Sequence, residues 1–228
     1  MDLSSLEQKL KIKFNNPDLL QQALVHRSYI NENPDFHLDQ NERLEFLGDA
    51  VLELVVTENL YRNYPNPEGE LTNWRAALVN AKMLAEIANR LEIDNYLLLS
   101  KGEAKDTGRA RQYILANALE AMIGAMYLDQ GYEITSQFIE REILKELPRI
   151  LENQLYRDPK SRFQEMAQDR VGITPIYKVL KEQGPDHAKH FTVGVFLDKE
   201  LVASGEGVSK QEAQEKAAQA GLKEREWG

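Results

Sequence analysis

Three of the four acidic residues in the segment NERLEFLGDAVLELV, which covers residues 41–55, lie within its first nine positions. Its apolar repeat is typical of a helix, and a turn of about 100° per residue places Glu42, Glu45 and Asp49 on one narrow stripe. Like charges at these spacings destabilise an isolated helix by ~0.2–0.5 kcal/mol per pair. A divalent cation held by carboxylate oxygens would reverse the sign of that interaction. The segment therefore predicts either a metal site or a solvated acidic face.

Two further segments favour the metal site. In YILANALEAMIGA, Asn117 and Glu120 are three residues apart among apolar and small residues. A carboxylate in such surroundings needs a partner, because burying a bare charge costs free energy. Glu68 lies in YPNPEGEL, whose proline and glycine content predicts a loop, and functional residues are frequent in loops. No pair of histidines has metal-ligand spacing, so we expect the four histidines, with His26 in a helix, to be structural or surface groups.

The same turn of about 100° per residue places an apolar stripe on the side of the helix opposite the acids. The residues expected to pack in the core lie on the side opposite the acids: Leu44, Leu47, Val51, Leu54 and Val55. Phe46 instead falls on the acidic side. A large aromatic side chain at that position needs cover, either from a loop of its own chain or from a second subunit.

Composition limits the classes of protein and partner. The chain of 228 residues has no cysteine, which excludes disulfides and thiolate metal sites and favours a cytoplasmic setting. The first fourteen residues hold an early acid, and no apolar run approaches the ~20 residues of a membrane span, so neither a signal peptide nor a membrane partner is expected. The net charge of −9 argues against a nucleic-acid partner, yet all of it falls in residues 1–153. Residues 154–228 hold twelve basic and twelve acidic residues.

The pattern of elements predicts two parts. Residues 1–150 are dense in helical patterns, including PDLLQQALVHRSYI and LTNWRAALVNAKMLAEIANRL. The later part reads as helix, three strands and helix, because FTVGVFLD alternates apolar and other residues with a period of two. Ser209 is the expected N-cap of the last helix. The expected fold class is an all-α domain followed by a small α+β (α-β-β-β-α) domain.

A basic segment, SKGEAKDTGRARQ, precedes the helix that carries Glu120. Its cationic residues are Lys101, Lys105, Arg109 and Arg111. They would suit contacts to an RNA backbone, and a solvated basic loop explains them equally well.

These segments resemble the bacterial ribonuclease III family. NERLEFLGDAVL resembles its signature motif, YPNPEGELTNWRAALV its next segment, and ILANALEAMIGAMYLDQG its later acidic helix. The stretch from DPKSRFQE to GEGVSKQEAQEKAAQAGL resembles the family's double-stranded-RNA-binding domain. The resemblance implies an endonuclease domain over residues 1–150, a linker over 151–157 and an RNA-binding domain over 158–228.

The activity implied by the resemblance is Mg²⁺-dependent cleavage of double-stranded RNA by a homodimer, with Mn²⁺ as an expected substitute. The products would carry 5′-phosphates and short 3′ overhangs, and the substrates would be rRNA precursors, mRNAs and small RNAs. A rival from another class is a non-cleaving regulator that binds double-stranded RNA through a degraded nuclease site. Asn117, where several family members have Asp, is the main evidence for that rival.

The resemblance also implies a role for each matching residue. Glu45, Asp49 and Glu120 match metal ligands, with Asp49 and Glu120 also catalytic, and Asn117 occupies a fourth metal position. Glu42 and Glu68 match acids at the edge of the catalytic valley that place RNA or a second metal. Phe46 matches the phenylalanine that inserts into the partner subunit.

The RNA-binding domain is expected to read the shape of A-form RNA rather than its sequence. Gln164 and Glu165 match residues that face one minor groove, and His187 matches one that faces the next. The residues expected to face phosphates are Lys210, Gln211 and Gln214. Because the family usually has more Lys or Arg in that last cluster, we expect binding to depend weakly on salt.

Overall fold

The computed structural model of the chain describes residues 2–105, 107–185 and 189–227. The chain forms two compact units, Met1–Tyr156 and Arg157–Gly228. The first is helical and the second combines a three-stranded sheet with two helices, which confirms the predicted fold class. The predicted first domain ends at residue 150, whereas the structure groups residues 151–156 with the first unit.

The first unit is built around the two longest helices described, α4 and α7. Its α-helices are α1 (Ser4–Leu10), α2 (Pro17–Ala23), α3 (Arg27–Glu32), α4 (Glu42–Asn63), α5 (Glu68–Val79), α6 (Ala81–Arg90), α7 (Arg109–Glu142) and α8 (Leu147–Glu152). Helix α7 is interrupted at Gly131, whose φ of 77° and ψ of −174° are not helical. Across the described parts of the chain, no helix is long and apolar enough to cross a membrane.

Two segments with a helical pattern each form two helices. In the first, Val25 forms an isolated bridge with Leu98 and ends α2, so the expectation of His26 inside a helix is wrong. His26 instead caps α3, and burial lowers the pKa of its imidazole. In the second, Asn80 separates α5 from α6 with an extended ψ of 154° and accepts a hydrogen bond from the Met83 N–H at 3.0 Å. The apolar period continues across both breaks, which is why the sequence pattern did not show them.

The second unit packs two helices on one face of its sheet. Its elements are α9 (Pro159–Val171), β1 (Ile176–Gln183), β2 (His190–Leu197), β3 (Glu200–Gly207) and α10 (Lys210–Glu224). The strands pair antiparallel in the order β1-β2-β3. The predicted inward residues of β2 are all buried: Phe191, Val193, Val195 and Leu197. Ser209 caps α10 by accepting a hydrogen bond from the Glu212 N–H at 3.2 Å, as predicted.

Candidate functional site

Helices α4 and α7 touch backbone to backbone next to the predicted metal ligands. A Cβ atom built on Gly48 would lie 1.7 Å from the carbonyl oxygen of Glu120, and one built on Gly124 would lie 2.2 Å from that of Leu44. No other residue type fits at these two positions without moving backbone. The crossing therefore fixes the turn of α4 that carries Glu45 and Asp49 against the turn of α7 that carries Glu120.

Sequence reasoning did not select these two glycines, although a signal for them exists. Glycine in a helix interior is less favourable than alanine by ~0.8–1.0 kcal/mol, so it needs a reason to be there. Gly48 lies directly before Asp49, and Gly124 lies four residues after Glu120. Glycine inside an acid-bearing helix is a usable indicator of close backbone approach.

The crossing brings the carboxylates of Glu45, Asp49 and Glu120 into electrostatic contact. Burial, and then repulsion from Asp49 and Glu45, raises the pKa of Glu120 to about 8. Burial is also the largest influence raising the pKa of Glu45, followed by Glu42, whereas a hydrogen bond from Asn117 opposes the shift. The structure thus brings the four residues predicted to hold a metal to one crossing, and the repulsion among their carboxylates is unfavourable.

The set of candidate ligand atoms suits a hard divalent cation. It consists of carboxylate and amide oxygens, which are the ligands that Mg²⁺ and Mn²⁺ accept, and it contains no thiolate. Over the residues that the structure covers, no three His, Asp or Glu side chains are already arranged as a metal-holding group. Mg²⁺ usually keeps several of its waters, so a loose carboxylate cluster still fits it.

The two predicted valley-edge acids differ in their surroundings. Glu42 begins α4, accepts a hydrogen bond from Gln40 at 3.1 Å and lies 3.8 Å from the guanidinium of Arg27. Its charge also acts on Glu45, so it belongs to the acidic cluster. Glu68 is the first residue of α5 rather than a loop residue, because an acid is favourable at a helix N-terminus. Its carboxylate accepts a hydrogen bond from the Thr72 hydroxyl at 3.1 Å, one turn along the same helix.

The side of α4 that bears Phe46 is an exposed apolar face. Phe46 is 81% exposed, so no described loop of its own chain covers it, and Tyr61 is 79% exposed. The expectation that Leu54 packs in the core is wrong, because its side chain is 57% exposed. The buried side of α4 is centred near Gly48 and Leu52, where α7 packs, and Leu54 points away from that contact. We call Phe46, Leu54 and Tyr61 the α4 apolar face.

The predicted RNA-facing residues of the second unit lie on α9 and α10. Gln164 and Glu165 are exposed on α9, Lys210 and Gln211 are exposed in the first turn of α10, and Gln214 is half-buried. Lys160, which sequence reasoning missed, donates to Gln214 at 2.7 Å and adds a cation to this surface. A lysine in the first turn of α9 was the available signal. His187 lies outside the described residues.

The basic segment before α7 is only partly available to a ligand. Arg111 forms an ion pair with Asp94 at 2.5 Å, and its side chain is only 16% exposed. Lys101 and Lys105 are exposed, whereas the side chain of Arg109 is outside the described structure. Arg111 is therefore used within the fold.

Comparison with known proteins divides the chain into the same two parts as the structure. A family model described as "Ribonuclease-III-like" matches residues 16–147, and one described as "Double-stranded RNA binding motif" matches residues 159–225. The chain is 47% identical to "Ribonuclease 3" of Natranaerobius thermophilus, over 95% of this chain and 94% of the relative. Its identity to "Ribonuclease 3" of Carboxydothermus hydrogenoformans is 46%, over 97% and 94%. A solved nuclease domain of ribonuclease III from Campylobacter jejuni is 42% identical with a TM-score of 0.58, covering 64% of this chain and 99% of that domain.

Proposed function

The chain belongs to the ribonuclease III family and is an endoribonuclease, and we propose that it cleaves double-stranded RNA with Mg²⁺ bound at the crossing of α4 and α7. The observation that carries the metal assignment is the backbone contact of Gly48 with Glu120, which holds carboxylates of two helices together. The match of residues 159–225 to a double-stranded-RNA-binding motif supports the substrate class.

The proposed chemistry is hydrolysis of a phosphodiester bond by water. A divalent cation held at this site, Mg²⁺ or Mn²⁺, would supply a water of lowered pKa as the nucleophile and would offset negative charge on the phosphate. Glu45, Asp49 and Glu120 would hold the cation directly or through its waters. Glu120 is partly buried and anchored at the crossing, so it would fix the position of the cation relative to α4. The products would carry 5′-phosphates.

Glu42 and Glu68 are proposed to act at the edge of this site. Both are exposed carboxylates, and Glu42 already lies beside Arg27. Their role would be to place the RNA backbone through bound cations or waters, since a bare carboxylate repels phosphate.

A homodimer would place two such sites on one duplex. The α4 apolar face offers aromatic anchors that its own described chain leaves exposed, and aromatic residues dominate the binding energy of many interfaces. One solved relative, from Campylobacter jejuni, is titled for a region involved in dimer formation of its nuclease domain. Two sites, one for each strand, would produce the short 3′ overhangs.

The second unit would hold the RNA by its shape. Gln164 and Glu165 are proposed to face one minor groove, and His187 the next, as expected of such domains. Lys210, Gln211 and Gln214 would face phosphates at the start of α10, where the helix dipole also attracts anions. The cellular substrates we propose are rRNA precursors, mRNAs and small RNAs in the cytoplasm.

The test is to measure cleavage and binding on the same preparations. Glu120→Ala should abolish Mg²⁺-dependent cleavage of a long RNA duplex while the gel-shift affinity stays within about twofold, because the second unit still holds the duplex. Glu140→Ala, which removes an exposed acid from the same helix, is the matched control and should cleave normally. Full cleavage by Glu120→Ala would refute the site. A wild-type chain that binds but never cuts with Mg²⁺ or Mn²⁺ would identify the non-cleaving regulator instead.

A further inference from the structure

Lys160 lies beside the predicted phosphate-facing residues of α10. It is the second residue of α9, where Asp158 caps the helix by accepting hydrogen bonds from the N–H and the hydroxyl of Ser161. The Lys160 ammonium group donates to the side-chain oxygen of Gln214 at 2.7 Å, so it bridges α9 and α10. The same nitrogen lies 5.4 Å from the centroid of the Tyr177 ring on β1. Contacts from two other elements therefore fix the position of this half-buried lysine.

Both contacts leave the positive charge of Lys160 uncompensated. The amide oxygen of Gln214 and the ring face of Tyr177 attract a cation without carrying a formal charge. By contrast, Lys216 on α10 forms an ion pair with Glu212 at 2.8 Å. An ammonium group has three N–H donors, and Lys160 uses one of them on Gln214. Lys160 can therefore also donate to an anion without first giving up a carboxylate partner.

The hydrogen bond also orients Gln214. Because the side-chain oxygen of Gln214 accepts from Lys160, its NH₂ group is directed away from that contact and can only donate. Lys210 lies four residues earlier, on the same side of α10, and its ammonium group lies 5.6 Å from the centroid of the Phe191 ring. Lys160, Lys210 and Gln214 thus present positively charged and neutral donors together, which suits the phosphate oxygens of an RNA backbone.

Helix α10 alone supplies little positive charge at this surface. Its first two turns, residues 210–216, hold two lysines and two glutamates, so their formal charges cancel. Gln211 donates to Glu215 at 3.0 Å, and its side chain is therefore engaged within the helix. The weak salt dependence expected from the sequence counts the residues of α10 only. Lys160 adds a cation that another helix brings to the same place.

Building on the proposed binding of double-stranded RNA, we propose that Lys160 is a phosphate-binding residue that supplies from α9 the positive charge absent at Gln211 and Gln214. Gln214 and Tyr177 position it, because they hold the ammonium group beside α10. Its ligand is a phosphate of the RNA backbone, so the contact increases affinity for any duplex and does not select a sequence.

The experiment measures binding of the full-length protein to an RNA duplex of about 16 base pairs, the length that one such domain spans. EDTA removes divalent cations, and fluorescence anisotropy gives the dissociation constant at several salt concentrations. Lys160→Gln should weaken binding about tenfold at low salt. It should also lower the slope of log affinity against log salt concentration by about 1, since one fewer phosphate is neutralised.

Lys178→Gln is the matched control. Lys178 follows Tyr177 in β1, so its exposed side chain lies on the opposite face of the sheet. Its ammonium group also lies near an aromatic ring, 5.0 Å from the centroid of Phe196. This variant should bind with the wild-type affinity and slope. Equal slopes for Lys160→Gln and Lys178→Gln would overturn the proposal.

A second variant separates phosphate binding from packing between α9 and α10. Combining Lys160→Gln with Gln214→Lys exchanges the two partners, which keeps an ammonium group at the same place and should restore the wild-type slope. A Tm lowered by Lys160→Gln with an unaltered slope would assign Lys160 to packing alone and overturn the proposal. An exchanged pair that does not restore the slope would do the same.

The proposed function fails in a different way. If the wild-type chain does not bind the duplex at any salt concentration, RNA binding by the second unit is rejected, and the role of Lys160 with it. If the wild-type chain binds and Lys160→Gln keeps its slope, only the role of Lys160 is rejected.

Discussion

The contact at Gly48 predicts that Gly48→Ala distorts the candidate site. The added Cβ would lie 1.7 Å from the carbonyl oxygen of Glu120, 2.6 Å from its carbonyl carbon and 2.8 Å from the nitrogen of Gly124. All three are backbone atoms, so no side-chain rotation relieves the collision. Bringing the closest contact to about 3.0 Å requires α4 and α7 to separate locally by at least about 1.3 Å.

The expected loss of stability follows from two opposing effects. Replacing glycine by alanine inside a helix is favourable by ~0.8–1.0 kcal/mol. Overpacking a well-packed contact costs about 1–3 kcal/mol and sometimes more, and a collision with backbone belongs at the upper end. The net expectation is a loss of ~2 kcal/mol in the free energy of unfolding, or about 4–8 °C in Tm for a unit of this size.

The same separation moves Glu120 relative to Asp49, and a misplacement of about 1 Å at a reacting centre can cost ~100-fold in rate. The assay is therefore thermal unfolding together with single-turnover cleavage. Gly69→Ala in α5 is the control, because a Cβ at Gly69 would meet no atom within 4 Å. That variant should unfold at or above the Tm of the wild type and cleave normally. If Gly48→Ala matches the control in both measurements, the two helices are not held in the contact described above.

Three further outcomes are expected. Without divalent cations, the free energy of unfolding should fall as the pH rises from about 4.5 to about 8. The pKa of Glu120 is about 8 in the folded chain and 4.5 ordinarily, so within this range the folded chain holds a proton that the unfolded chain has lost. Glu120→Gln should flatten this slope in urea melts at several pH values, and an unchanged slope would contradict the assignment. Phe46→Ala should weaken self-association at least ~30-fold, the equivalent of about 2 kcal/mol at an aromatic anchor, as measured by sedimentation across a dilution series. An unaltered monomer–dimer curve would exclude the α4 apolar face as the interface. A chain truncated after Tyr156 should fold, because the Tyr156 ring, whose centroid lies 6.1 Å from that of Trp74, is kept within the first unit. It should bind duplex RNA poorly at physiological salt, since it keeps the whole net charge of −9, and its binding should recover in part at low salt. Equal binding by truncated and whole chains at every salt concentration would show that the second unit does not contribute to RNA binding.

The second unit was the most predictable part of the fold from sequence. Its signals are local: the period of two in β2 places Phe191, Val193, Val195 and Leu197 on the buried face, and Ser209 caps α10. Local backbone preferences and burial agree there, so the pattern alone defines the elements.

The helical unit was predictable in class but not in detail. The break after α2 depends on a bridge between Val25 and Leu98, residues far apart in sequence, which no local pattern reveals. The helical period places Leu54 on the same side as the core residues, but that period does not show which side the next helix covers. The position of α7 over Gly48 decides that, and it leaves Leu54 exposed.

In the candidate site too, the residue types could be predicted from the sequence, but their arrangement could not. The acids and their helices could be read from the sequence, whereas the pKa of Glu120 depends on burial and on charges brought by another helix. Repulsion among these carboxylates opposes the close crossing, and the packing of α4 on α7 must outweigh it whenever no cation is bound. A cation that binds only the folded chain adds stability by mass action, about 2.7 kcal/mol at a concentration of 100 times its Kd. If a cation binds at the proposed site, the glycines that let α4 and α7 meet would couple the stability of the first unit to its occupancy, and Mg²⁺ should raise the Tm of that unit in the absence of RNA.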